Sequence, residues 1–250
     1  MTAFDWTASG IRIRDDLRDA YRAAWAHIAK PGTWLSGDER VAVAEETRRA
    51  RSCRLCAERR AALSPFSADL GPNGEPPSHD DAGVLPAPLV DEIHRITTDA
   101  ARLTRSWVES LIEDGLTYEE YVEALGVTVI TISIDRFHHA LDLPLERLPT
   151  PEAGVPTRKK VEAPPPDEAW VPIQSAQQTS KAIGLPGVPA PNVLRALSLV
   201  PAEVRAWQAL AAAQYLDEKA MMRFDSPRTA NRSQIELVAG RVSALNECFY

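Results

Sequence analysis

Apolar residues recur at three- and four-residue intervals along most of this chain, and that spacing limits its fold more than any other feature. From Ile11 to Ala29, the residues Leu17, Tyr21, Ala24, Trp25 and Ile28 fall on one helical face. Pro31-Gly32 ends that segment. A second helix is expected from an N-cap at Asp38 to about Arg51, and a third, capped by Ser52, carries Cys53 and Cys56. Residues 64–87 are rich in Pro, Gly, Ser and Asp and read as a long loop, a kind of segment that is often functional. Helical spacing resumes over 88–112, breaks at Asp114-Gly115, and restarts behind a Thr117 cap through Leu141. The run Val127-Thr-Val-Ile-Thr-Ile-Ser-Ile134 has the β-branched density of a strand. Helical patterns flank it closely and no partner strand is evident, so it reads as buried helix. The expected fold class is all-α.

Prolines divide the chain. Residues 142–172 include Pro164-Pro-Pro166 and the basic Arg158-Lys-Lys160, and read as an extended linker or wrapping arm. This gives one helical unit over 1–141 and a second over 173–250. In the second unit, Val204, Trp207, Leu210, Ala211 and Tyr215 make an apolar face within 201–216, and a last helix runs from Arg228 to about Leu245. Aligning Cys53 with Cys248 places Val43-Ala44 on Val238-Ala239, a slight internal repeat.

Composition removes several function classes. The chain has 44% hydrophobic and 25% charged residues, as a globular protein does, and a net charge of −7 with no basic stripe. Nucleic acid and anionic membranes are therefore not expected partners. The apolar run from Val127 to Ile134 falls far short of the ~20 residues of a membrane span. Met-Thr-Ala-Phe-Asp-Trp at the start has no basic region or apolar core, and the expectation is a cytoplasmic protein. No Gly-x-Ser-x-Gly elbow, Gly-x-Gly-x-x-Gly fingerprint or Walker loop occurs.

Three cysteines remain, two of them as Cys53-x-x-Cys56. Without a secretory leader that pair reads as redox or metal chemistry, not as a disulfide framework. The i, i+3 spacing puts both sulfurs on one side of a helix. A first-turn position and the neighbours Arg51, Arg54, Arg59 and Arg60 predict a lowered thiol pKa. Two buried cysteines acting as small hydrophobes are the plain alternative. Half a zinc site is another, but no second Cys/His pair stands at the usual distance, so a redox dithiol is favoured and no metal is expected. Glu236 stands twelve residues before Cys248, and the two can meet only if the helix breaks, as Asn246 allows. A carboxylate beside a thiol can act as its general base. Asp135, His138 and His139 share a helical face but read as a helix end. His94 in Asp91-Glu92-Ile93-His94 is the histidine to watch, because the dithiol helix has none of its own.

The stretch from Arg232 through Glu236, Asn246 and Cys248 to Tyr250 resembles the alkylhydroperoxidase D / carboxymuconolactone decarboxylase superfamily, and more narrowly its peroxidase-related branch. The resemblance implies an all-helical bundle of two related units and a homo-oligomer, often a trimer or hexamer. Glu236 matches the family's glutamate and Cys248 its first, resolving cysteine. The peroxidatic cysteine and the histidine would fall beyond Tyr250. The first unit is similar with lower specificity, through Cys53-x-x-Cys56 and Gly115-Leu-Thr-Tyr-Glu-Glu-Tyr-Val-Glu123. It departs where Val41 holds the glutamate position and Arg60 the histidine position, for which Glu45 or His94 are substitutes.

The implied activity is thiol-dependent reduction of hydroperoxides, with Glu236, Cys248, Cys53 and Cys56 as catalytic residues. Cys56 would attack and Cys53 resolve, a dithiol reductant protein would restore the pair, and no bound cofactor is needed. The rivals are a decarboxylase-like lyase of the same superfamily and a non-catalytic helical oligomer with a decayed site. His94 or Glu45 close to Cys56 favours the enzyme, and a dry apolar surround favours the scaffold.

Overall fold

The computed structural model describes residues 4–65, 77–185, 187, 189–217, 220, 228–246 and 248, and these contain helices and no strand. Helix α1 spans Asp15–Ala29, α2 Gly37–Arg49, α3 Arg54–Ala61, α4 Ala87–Asp99, α5 Arg105–Glu113 and α6 Tyr118–Ala140. After a long irregular stretch come α7 (Ala176–Ala182), α8 (Asn192–Arg195), α9 (Pro201–Gln214) and α10 (Arg232–Leu245). None of these helices is long and apolar enough to cross a membrane.

Local signals account for several boundaries. Thr117 accepts from the Glu120 backbone N–H at 3.2 Å while the Glu120 carboxylate accepts from the Thr117 N–H at 3.1 Å, so a reciprocal cap starts α6. The β-branched run 127–134 lies inside α6, with Val127, Thr128, Ile130, Thr131 and Ile134 buried. Burial on a central helix outweighs strand propensity there. The cap of α2 is Ser36, not Asp38: Ser36 and Glu39 form the same reciprocal arrangement.

Helix α6 is central. It packs against α2, α4 and α9, and α1 packs against α2 and α9. One continuous core joins Tyr21, Trp25 and Ile28 of α1 to Ile93 of α4, to Val122, Val127 and Ile134 of α6, and to Val204 and Leu210 of α9. Two glycines permit close approach. A Cβ on Gly126 would lie 2.7 Å from the Cβ of Glu203, and one on Gly32 would overlap the Glu123 carboxylate. Between these helices Arg40 is fully buried and binds both carboxylates, Glu123 at 2.6 Å and Glu203 at 2.8 Å.

The stretch after α6 wraps the first unit. Its backbone N–H groups at Glu152, Thr157 and Arg158 donate to the carbonyls of Ala29, Gly32 and Thr33 at 2.7, 3.2 and 2.8 Å. In contrast, no residue of α10 is buried.

Candidate thiol site

The site is built on the start of α3. A short 3-10 turn, Ala50–Ser52, leaves α2 and brings the chain to Cys53, which is itself the N-cap of α3. Ser52 does not cap the helix, since its hydroxyl donates to the Arg49 carbonyl at 3.1 Å. The capping carboxylate comes from the long loop: Asp80 accepts from the Arg54 N–H at 2.7 Å. That contact anchors the loop on α3 and sets His79 over the sulfurs.

His79 Nδ1 lies 3.5 Å from Cys53 Sγ and 3.6 Å from Cys56 Sγ. His94 Nδ1, from α4, lies 3.3 Å from Cys56 Sγ. Each imidazole is held from behind by a carboxylate: His94 Nε2 by Glu46 of α2 at 2.7 Å, and His79 Nε2 by Asp91 of α4 at 2.8 Å. An Nε2–H donated to a carboxylate leaves the Nδ1 lone pair facing sulfur.

Both carboxylates are themselves positioned. Asp91 also accepts from Trp107 Nε1 at 2.7 Å and Arg59 Nη1 at 2.6 Å. Although burial opposes ionisation, the His79, Trp107 and Arg59 partners together hold Asp91 well below the usual carboxylate range. Glu46 accepts from the Ala82 N–H at 3.2 Å, a second tie from the loop.

Burial dominates the thiol. Cys53 and Cys56 are 2% and 3% exposed. Desolvation pushes the Cys56 thiol up, with partial relief from the Thr98 hydroxyl, and desolvation lowers His94 despite the Glu46 bond. At Cys56 burial outweighs the lowering by Arg59, so this thiol does not have the lowered pKa that the sequence predicts. Arg54 turns to Glu58 and Arg59 to Asp91. Both pKa shifts favour the uncharged pair of Cys56 thiol and His94 imidazole. A surface pocket of about 340 Å³ opens on Cys53 and Cys56, with Arg51, Arg60 and Thr98 on its walls.

The sulfurs are thus buried but not in a dry apolar setting. Of the substitutes expected for the missing relay, His94 does reach Cys56. Glu45 is exposed and pairs with Arg49 at 3.5 Å, and its neighbour Glu46 takes the carboxylate position instead. His79, Asp91 and Glu46 were not singled out from the sequence. The one available signal for His79 was its place in the long loop following the dithiol helix.

The other candidates are placed as follows. Glu236 is bound by Tyr215 Oη and by Arg232 at 2.6 Å. Helix α10 runs unbroken past it to Leu245, and Asn246 is its C-cap, the break the sequence suggested. Cys248 is exposed, in no disulfide, and its N–H donates to the Ser243 carbonyl at 2.9 Å. The returning helix expected to begin at Cys248 lies outside the described residues. Asp135 takes Arg48 in a two-pronged pair at 2.8 and 2.9 Å, and His138 Nδ1 bonds the Pro144 carbonyl at 2.7 Å, so this group is structural.

No protein-family model, curated protein or solved structure matches the chain.

Proposed function

We propose that the protein is a thiol-dependent oxidoreductase that reduces hydroperoxides through Cys56 and Cys53. The observation that carries the reading is the chain Cys56 Sγ, His94 Nδ1, His94 Nε2, Glu46, with links of 3.3 and 2.7 Å. It supplies what a buried, protonated thiol lacks, a base with its own counter-charge.

The steps follow from that chain. His94 Nδ1 takes the Cys56 proton, and Glu46 stabilises the imidazolium. The thiolate attacks the outer oxygen of the hydroperoxide and the O–O bond breaks. The leaving alkoxide takes the proton from His94, giving an alcohol and a Cys56 sulfenic acid. Cys53, beside His79, then attacks that sulfur. A Cys53–Cys56 disulfide forms, and the hydroxyl leaves with the Cys53 proton as water. An external dithiol reduces the disulfide and is itself oxidised. A reducing compartment such as the cytoplasm and a homo-oligomeric assembly belong to the same proposal. Glu236 and Cys248 are not needed for this cycle.

The test is consumption of hydrogen peroxide and an organic hydroperoxide by the reduced protein with a dithiol recycling reagent. Turnover lost in Cys56→Ser supports the reading. In Cys53→Ser, a sulfenic acid trapped at Cys56 supports it further. Absence of hydroperoxide consumption by reduced, correctly folded protein overturns it.

A further inference from the structure

Four donor atoms converge at this site, from three parts of the chain: Cys53 Sγ and Cys56 Sγ at the start of α3, His79 Nδ1 from the loop, and His94 Nδ1 from α4. All lie within 4.8 Å of one another. We propose that Cys53, Cys56, His79 and His94 form a tetrahedral Zn²⁺ site, and that the metal and a Cys53–Cys56 disulfide exclude one another.

The geometry fits the ion. With Zn–S near ~2.3 Å and Zn–N near ~2.05 Å, a tetrahedron has sulfur–nitrogen edges of about 3.6 Å. Three of the four sulfur–nitrogen separations are 3.5, 3.6 and 3.3 Å, and all four donor atoms lie within 4.8 Å of one another. Two sulfurs and two imidazoles form a donor set that Zn²⁺ commonly takes. Hydrogen bonding also presents the correct nitrogens. Glu46 and Asp91 lie 2.7 and 2.8 Å from the two Nε2 atoms, and in the tautomer that donates Nε2–H to them both Nδ1 lone pairs point inward, the outer-sphere arrangement typical of zinc-bound histidines.

Charge is balanced as well. Binding releases the two thiol protons, and two thiolates neutralise Zn²⁺ within a buried site. Four protein donors leave no open position, so the bound metal is a closed centre that masks the thiols instead of activating water. A hydroperoxide would act on it by the balanced step in which the zinc dithiolate, two protons and the hydroperoxide give the disulfide, an alcohol, water and free Zn²⁺. The metal site itself does not depend on the peroxide reading.

The probe is Co²⁺, titrated into reduced, chelator-stripped protein carrying Cys248→Ser so that one thiol pair remains. The expected result is saturation at one equivalent, with the intense visible bands of tetrahedral Co²⁺ and a thiolate-to-metal charge-transfer band. Zn²⁺ should displace the cobalt and slow alkylation of both thiols. His79→Asn and Cys56→Ser should abolish the spectrum with circular dichroism unchanged, and Asp91→Asn should weaken binding by ~10–100-fold. As a check independent of folding variants, the disulfide form of the same protein should show no spectrum until it is reduced. A weak octahedral spectrum, or bands that survive oxidation or the His79 change in folded protein, would overturn the assignment. Failure of cobalt binding leaves hydroperoxide turnover to be judged by itself, and the reverse also holds.

Discussion

His94 Nδ1 stands 3.3 Å from the sulfur of Cys56, a residue 38 positions earlier in the chain. The contact exists because α4 lies against α3 and the 3-10 turn before it. Its consequence is kinetic. If His94 is the base, His94→Ala should slow sulfenic acid formation at Cys56 by ~10²–10⁴-fold. Glu46→Gln keeps a hydrogen-bond acceptor but removes the charge that stabilises the imidazolium, and should give a smaller loss in the same direction. Single-turnover kinetics with a sulfenic acid trap measures both.

Much of the fold was legible from spacing and caps. Helix α6 is the clearest case: Thr117 caps it as the pattern suggests, and Glu120, three residues on, completes a reciprocal cap. Helix α3 shows where local reading stops. Its capping carboxylate is Asp80, which a distant loop brings to Arg54, while the local Ser52 hydroxyl bonds the Arg49 carbonyl instead. The site fails to be legible for the same reason. Cys53 and Cys56 announce themselves by spacing, whereas Glu46, His79 and Asp91 matter only after α2, the loop and α4 have packed. The histidines His79 and His94 lie too far apart in sequence to read as a usual zinc pair.

Glu92 predicts an unusual pH dependence of stability. It is wholly buried, and neither carboxylate oxygen has a hydrogen-bond partner among the described residues. Burial raises its pKa well above the ordinary 4.5, so the folded protein keeps a proton that the unfolded chain loses above about that pH. The folded state therefore binds more protons, and stability falls as pH rises past 4.5 until the folded carboxyl itself ionises. The slope from this one group is on the order of 1.4 kcal/mol per pH unit. Glu92→Gln should remove that slope and be the more stable protein at neutral pH. Urea unfolding of both proteins at several pH values checks it.

Arg40 predicts a large loss in the other direction. Its guanidinium binds Glu123 at 2.6 Å and Glu203 at 2.8 Å, with all three side chains fully buried. Arg40→Met leaves two carboxylates buried without their counter-charge, which costs about 3–5 kcal/mol. Denaturant midpoints should fall accordingly. A double change of Arg40→Met with Glu203→Gln should recover part of the loss.

Gly126 tests the fit of α9 on α6. A Cβ there would meet the Cβ and Cγ of Glu203 at 2.7 and 2.8 Å, part of the helix-facing stem and not a free side-chain end. Gly126→Ala should therefore destabilise the protein by roughly 1–3 kcal/mol, despite the higher helix propensity of alanine. Thermal unfolding monitored by circular dichroism reads the change.

In the proposed cycle Cys56 and Cys53 act together on a hydroperoxide. The most direct measurement adds one equivalent of hydroperoxide to reduced, chelator-stripped protein carrying Cys248→Ser, followed by alkylation and peptide mass mapping. The expected result is consumption of the hydroperoxide, protection of both cysteines from alkylation, and a peptide pair joined through Cys53 and Cys56. Unconsumed hydroperoxide with both cysteines still open to alkylation would contradict it.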